Sequence, residues 1–299
     1  MNALYNAIGI SKQAVHQYAK RQDVFDQKVT ELVREAELIR KEHPGCGVEK
    51  MYYTLEPDFI GRDRFVELFM DLGFRLRRKK NYRRTTYSSK VYYPDLIKGK
   101  EVDGPSQIWQ SDITYIPLGQ RFYYAVFIID VYTKEIVGYN VSDSLRAEAN
   151  IKALKMALKK HKPPCIHHSD RGTQYTCNEY IELLSEHGVE ISMCDSALDN
   201  AYAERINQTI KKEYLEHWYY ATYAQLRKMV SKAVKHYNSK RIHDHLNRTT
   251  PKDFENTVIS LSKDQRPTMS IFDYDAYLAL QKDREGPENR TKKHNDTAA

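Results

Sequence analysis

The sequence predicts an α/β protein in which a layer of five strands is flanked by helices and preceded by small all-α units. Three observations carry this. Residues that favour strands crowd three closely spaced runs, IWQSDITYIPL (108–118), RFYYAVFIIDVYT (121–133) and EIVGYNVSD (135–143), as in a meander. Helix-patterned stretches then alternate with two shorter strand runs. Ahead of residue 75 the periodicity is helical, with Gly and Pro as punctuation.

In chain order, LYNAIGISKQAVHQYAKRQ within 1–22 reads as part of a helix-turn-helix. Gly9 supplies the turn, Ser11 an N-cap, and Ile10, Ala14, Val15 and Tyr18 recur at helical spacing. Lys12, Gln13, His16 and Gln17 then face outward, as on a DNA-recognition helix; an ordinary helix hairpin is the other reading. The unit is short at its front. Residues 23–42 make an amphipathic linker helix with the stripe Val24, Val29, Leu32, Val33, Ala36 and Ile39, stopped by His43-Pro44-Gly45. A second helix pair, 48–55 and 62–72, fills 43–74. Residues 75–105 form a basic linker. Its first part holds Arg75, Arg77, Arg78, Lys79, Lys80, Arg83, Arg84 and Lys90 with no acid among them, and Tyr82 and Tyr87 interleaved. Such a run can release counterions from a phosphate backbone; a merely solvated linker is the alternative. The core spans 106–256. After the meander come a helix at 145–161, a strand at 164–169, a helix at 178–187, a strand at 189–194, and helices at 203–218 and 223–237. A polar tail, 257–299, is expected to be partly disordered, beyond about Leu280.

Bulk properties narrow the function. The net charge of +7 favours a polyanionic partner. The longest apolar run, 122–132, is too short to cross a bilayer and contains Asp130. The N-terminus lacks the layout of a signal peptide, so a cytoplasmic protein is expected. Four cysteines, Cys46, Cys165, Cys177 and Cys194, form no C-x-x-C pair and are expected to be reduced and scattered. His167 and His168 are expected to be structural.

Three acids stand out. Asp112 lies inside the first strand, Asp170 follows the fourth, in HHSDRGTQY, and Glu204 opens a helix 34 positions later. On that helix Ala203, Ile206, Ile210 and Tyr214 form one stripe, and Glu204, Gln208 and Lys211 the neighbouring one. A carboxylate at a buried strand end is costly unless something pairs with it. Clustered carboxylates suit hard divalent cations, and two such ions can serve both oxygens of an in-line displacement at phosphorus.

These motifs resemble the DDE transposase and retroviral-integrase catalytic core, and above all the insertion-sequence transposases of family three. The matching stretches are W-x-x-D-I-T-Y around Asp112, H-S-D-x-G-x-Q-Y around Asp170, and D-N-A-x-x-E with K-x-E (Asp199, Asn200, Ala201, Glu204, Lys211, Glu213). YNSKRIHDHL and TPKDF, at 237–246 and 250–254, are similar to the family's closing pattern, and 43–90 to its helix-turn-helix. Two features depart from it. The last two acids are spaced slightly closer than usual, and Arg205-Ile206-Asn207 replaces the usual aromatic pair.

The resemblance implies an RNase H-like fold and a transposase that cleaves 3′ ends and joins them to target DNA. Asp112, Asp170 and Glu204 would hold two Mg²⁺ ions, with Mn²⁺ as a substitute. Lys211 would contact DNA near the cut, and Asn200 and Gln174 would orient the site or its DNA. It also implies double-stranded partners, namely inverted repeats and target DNA, and a homodimer or larger assembly on paired ends. An upstream-frame partner would complete the first helix-turn-helix, and the place of action would be the bacterial nucleoid. Two rivals stand beside it: a DNA-binding regulator with idle acids, and a simple RNase H-type nuclease.

Overall fold

The computed structural model describes residues 11–76, 92–194 and 197–272. The chain divides into two compact units, within Met1–Lys80 and Asn81–Ala299.

The first unit contains helices α1 (Lys12–Glu42), α2 (Val48–Leu55) and α3 (Arg62–Phe69). The Ser11 hydroxyl caps α1 by accepting the Ala14 N–H at 3.1 Å. This helix crosses the expected border between 1–22 and 23–42 without a break. One helix of 31 residues runs through it, because no Gly or Pro interrupts the stretch and Asp23 sits mid-helix. Its buried residues, Leu32 and Ala36, both lie in the second half. Lys12, Gln13, His16 and Gln17 are exposed on its first turns; the turn expected at Gly9 lies outside the described residues. α3 passes into a π-helical turn, Met70–Phe74, where Gly73 takes φ 89°, a left-handed conformation that suits glycine. Phe65 and Phe69, stacked with centroids 4.0 Å apart, centre a core with Val48, Met51 and Ile60. Arg75 is exposed. Arg77, Arg78, Lys79, Lys80, Arg83, Arg84 and Lys90 lie outside the described residues.

The second unit is built on β2 (Ile108–Leu118), β3 (Arg121–Asp130), β4 (Ile136–Ser142), β5 (Ile166–Ser169) and β6 (Glu190–Met193). Their order in the sheet is β4-β3-β2-β5-β6. β2–β3 and β3–β4 are antiparallel, and β2–β5 and β5–β6 parallel. This mixed order, with helices on both faces, is RNase H-like. On one face α4 (Glu148–Lys160) and α5 (Asn178–Glu186) cover Trp109, Val126, Ile128 and Val137. On the other, α6 (Ala201–Thr209), a π turn (Ile210–Leu215) and α7 (Tyr223–Ser239) cover Ile116, Ala125, Phe127 and Ile129. The alternation along β3 follows from side chains pointing to opposite faces at successive positions.

The core extends past both expected borders. A two-residue strand β1 (Glu101–Val102), inside the expected linker 75–105, pairs with β7 (Met269–Ser270), inside the expected tail 257–299. Between them α8 (Pro251–Ser260) places Phe254 and Val258 in a cluster with Ile97, Val102, Tyr132 and Ile271. Residues 273–299 lie outside the described residues. Among the described residues no helix is long and apolar enough to cross a membrane.

Gly138 sets how closely α4 approaches the sheet. A Cβ there would collide with the Ala153 carbonyl and come within 2.9 Å of the Ala157 Cβ. Gly138→Val is expected to destabilise the core by about 1–3 kcal/mol through overpacking, read as a lower urea midpoint; an unchanged midpoint would show that α4 shifts freely.

Candidate active site

The β2–β5 register brings the first two acids together. Ser111 pairs with Ser169 in a parallel ladder, so the next residue along each chain, Asp112 within β2 and Asp170 just past the end of β5, stands at the same level on neighbouring strands, which lie roughly 4.8 Å apart. Glu204 arrives on α6, and the docking of that helix is specified by a side chain. The buried Gln110 lends its Oε1 to the N–H groups of Tyr202 and Ala203, at 3.1 and 3.3 Å. These are orphan donors of the first helical turn. Gln110 and Asp112 share one face of β2, so the strand that carries the first acid also caps the helix that carries the third.

Each acid has local supports. Asp112 accepts the Asn207 amide at 2.7 Å and the Ile113 N–H at 2.8 Å. Asp170 accepts the Gly172 N–H at 3.1 Å. A Cβ on Gly172 would stand 3.0 Å from both Asp170 Oδ1 and Gln174 Oε1, so glycine keeps the space beside the carboxylate open. Asn200 is buried and donates to the Ser111 carbonyl at 3.0 Å. Gln174 donates to the Leu145 carbonyl at 2.8 Å. Both amide nitrogens therefore donate within the protein. Lys211 is half-buried and donates to Thr114 Oγ1 at 3.3 Å, two residues beyond Asp112 on the same strand face.

The electrostatics are those of charges forced together. Burial, then the Asp170 carboxylate, push Asp112 up to about 8, against the opposing hydrogen bond from Ile113; Glu204 adds to the rise. Burial raises Asp170. Burial and the Asp170 charge raise Glu204. Burial lowers Lys211, while the nearby Asp112 is among the charges that hold it up. An all-oxygen donor set under mutual repulsion fits a hard divalent cation. Among the described residues, the three side chains whose ligand atoms all lie within 4.8 Å of one another are Glu135, His161 and Glu255.

His167 and His168 are structural. His167 Nε2 meets the Tyr180 hydroxyl at 3.0 Å and His168 Nδ1 meets the Ser192 hydroxyl at 2.8 Å. Burial pushes them down to about 3 and about 4, so both are neutral. The four cysteines are free thiols. Sequence reasoning missed Gln110 and Asn207. A polar residue at the position two before Asp112, and one three after Glu204, were the available signals. It also gave no role to Arg241, which makes a two-point ion pair with Glu213 at 2.7 and 2.8 Å. This pair ties the π turn that carries Lys211 to the end of α7.

An RNase H-like sheet with one acid on its central strand, one just past the neighbouring strand and one on a helix docked over it is the arrangement of a polynucleotidyl transferase core. The comparisons with known proteins make this particular. A family model described as integrase core domain matches residues 102–197, and a second of the same description matches 187–251. The chain is 34% identical over 203 residues to the "Insertion element IS600 uncharacterized 31 kDa protein" of Shigella sonnei, covering 65% of this chain and 75% of that protein. It is 34% identical over 222 residues to the "Transposase for insertion sequence element IS629" of Shigella sonnei, covering 71% and 74%. It is similar in structure to the HTLV-2 integrase catalytic core domain in complex with magnesium (dimeric form), with 18% identity, a TM-score of 0.44, and 51% and 97% of the two chains covered. The chain belongs to the insertion-sequence transposases with an integrase core domain.

A pH dependence follows from the raised carboxylates. An acid that holds its proton more tightly when folded favours the folded state most below its unfolded value, near 3.8 for Asp112, and loses that advantage as pH rises towards about 8. Without divalent cations, the melting temperature is expected to fall across this window, with a shallower fall for Asp112→Asn. Equal slopes for the two proteins would contradict the repulsion described here.

Proposed function

We propose that this transposase binds the inverted-repeat ends of an insertion sequence, cleaves to free 3′ ends, and transfers them into target DNA at a site made by Asp112, Asp170 and Glu204. The observation that carries the proposal is the convergence of three acids from the middle of β2, the end of β5 and one helix, each raised by burial, with repulsion from a neighbouring acid adding at Asp112 and Glu204. Asp112, Asp170 and Glu204 would hold two Mg²⁺ ions, or Mn²⁺ in their place. Such ions, when bound, polarise the attacking oxygen and neutralise the departing 3′ oxygen.

The chain's own groups do the rest. Asn207 holds the Asp112 carboxylate in one orientation through its amide. Gln110 fixes the height of Glu204 along β2 by capping α6. Lys211 offers an ammonium beside the acids to a DNA phosphate, whose negative charge would raise its affinity for the proton again. Arg75 and the basic residues from Arg77 to Arg84 add a contact without base specificity. Lys12, Gln13, His16 and Gln17, exposed on one end of α1, serve end recognition. The active form would be a homodimer or larger assembly on paired ends. It would act in the bacterial cytoplasm, on the nucleoid. Neither the idle-regulator nor the nuclease reading is favoured: the acids stand together with Lys211 poised beside them, and a general nuclease needs no unit for end recognition.

Asp170→Asn tests this. Cleavage of a labelled element end in Mg²⁺ is expected to fall below detection, while end binding in a gel shift stays within about threefold, a change of less than 1 kcal/mol. Loss of binding and folding together would make Asp170 a structural residue.

A further inference from the structure

We propose that Glu135, His161 and Glu255 form a second metal site, apart from the three acids, for a divalent ion of the zinc, cobalt or manganese type. The three residues come from different elements. Glu135 ends the β3–β4 turn, His161 follows α4 as its C-cap, and Glu255 lies on α8. Their ligand atoms all lie within 4.8 Å of one another.

A second observation points into the cluster. Glu135 is 9% exposed, and its Oε2 is buried without a hydrogen-bond partner. Its other oxygen, Oε1, accepts a long bond from Asn238 Nδ2, at 3.4 Å. Leaving a buried carboxylate oxygen unsatisfied is costly, and here a second carboxylate, Glu255, faces it. Burial, then the Glu255 charge and a hydrogen bond between the two carboxyls, drive the Glu135 carboxyl up to about 8; Asp130 adds to this and Lys252 opposes it. A cation would satisfy the orphan oxygen and cancel the repulsion in one step.

The donor set selects the ion. One imidazole nitrogen with two carboxylate oxygens suits zinc and its first-row neighbours, whereas Mg²⁺ is bound through oxygens. The cluster is also separate from Asp112. The ring of His161 stands edge-on to Trp109, with centroids 6.4 Å apart and planes at 89°, and Trp109 points to the opposite face of β2 from Asp112, three residues earlier. Bound there, the ion would clip α8 to the β3–β4 turn and to the end of α4. Phe254, beside Glu255, already packs on Tyr132 in that turn, with centroids 5.5 Å apart. The site would therefore be structural.

The chain has two tryptophans, so Trp218→Phe leaves Trp109 as the sole emitter, next to His161. Co²⁺ is titrated into that protein with Mg²⁺ in large excess to occupy the all-oxygen site. The expected result is saturable quenching of Trp109 that Zn²⁺ competes away, with apparent affinity at least about tenfold weaker, or 1.4 kcal/mol, after either His161→Gln or Glu255→Gln. Far-UV circular dichroism confirms the fold of each variant, and either folded variant suffices. Absent quenching, or quenching that a folded variant leaves unchanged, would overturn the site and leave Glu135 and Glu255 sharing a proton. Strand-transfer activity does not enter the readout.

Discussion

The burial of three neighbouring carboxylates, with repulsion from Asp170 adding at Asp112 and Glu204, is the constraint around which the second unit is organised. Two of the acids sit at equal height because Ser111 and Ser169 pair in a parallel ladder. Neither strand could slip by one residue without turning its acid to the other face, and with it the apolar residues that bury the sheet. The hydrophobic clusters on the two faces therefore enforce a juxtaposition that electrostatics opposes. Burial first, and then the Asp170 charge, give Asp112 a proton affinity far above that of a free aspartate. A site strained in this way is a ready receptor for positive charge, whether as ions or as the nearby Lys211 ammonium.

The supports around the acids share one design, in which buried polar groups spend their hydrogen bonds on aiming something else. Gln110 caps α6, Asn200 reaches back to the Ser111 carbonyl, and Asn207 grips Asp112. The Arg241–Glu213 pair does the same at larger scale, since its side chains are only 8% and 21% exposed. Such a pair adds little net stability against a well-packed apolar substitute. Its geometry, however, fixes the π turn between α6 and α7, and so the position of Lys211. A helix that simply continued past Thr209 in α form would carry Lys211 round to a different angle.

Much of this was legible in the sequence, for identifiable reasons. The strands of the meander appear where the β-forming runs place them, since those runs are dense in β-branched and aromatic residues and closely spaced. Asp112, Asp170 and Glu204 stood out because each sits in a short motif of unusual polarity. Gln110 and Asn207 did not, since their roles exist only once α6 has docked on β2, a contact spanning more than 90 residues. The continuity of α1 was not legible because Asp23 and its neighbours resemble a helix start, and local pattern does not reveal that the preceding turn keeps going. β1 and β7, two residues each, are too short for any periodicity to register, and α8 fell partly inside what read as a tail. Glu135, His161 and Glu255 come together only in three dimensions, from a turn, a cap and a late helix.

The central claim is that the three acids act as one site for joining DNA strands. The most direct measurement is a strand-transfer assay with purified protein, a labelled double-stranded element end, a plasmid target and Mg²⁺, run beside Glu204→Gln. Glu204 is the acid that reaches the site through helix docking rather than through the sheet, and the substitution keeps its shape while removing its charge. Joined products with the natural protein and none with the variant are the predicted result. Equal joining by both proteins would contradict the account, because the third acid would then have no part in the chemistry.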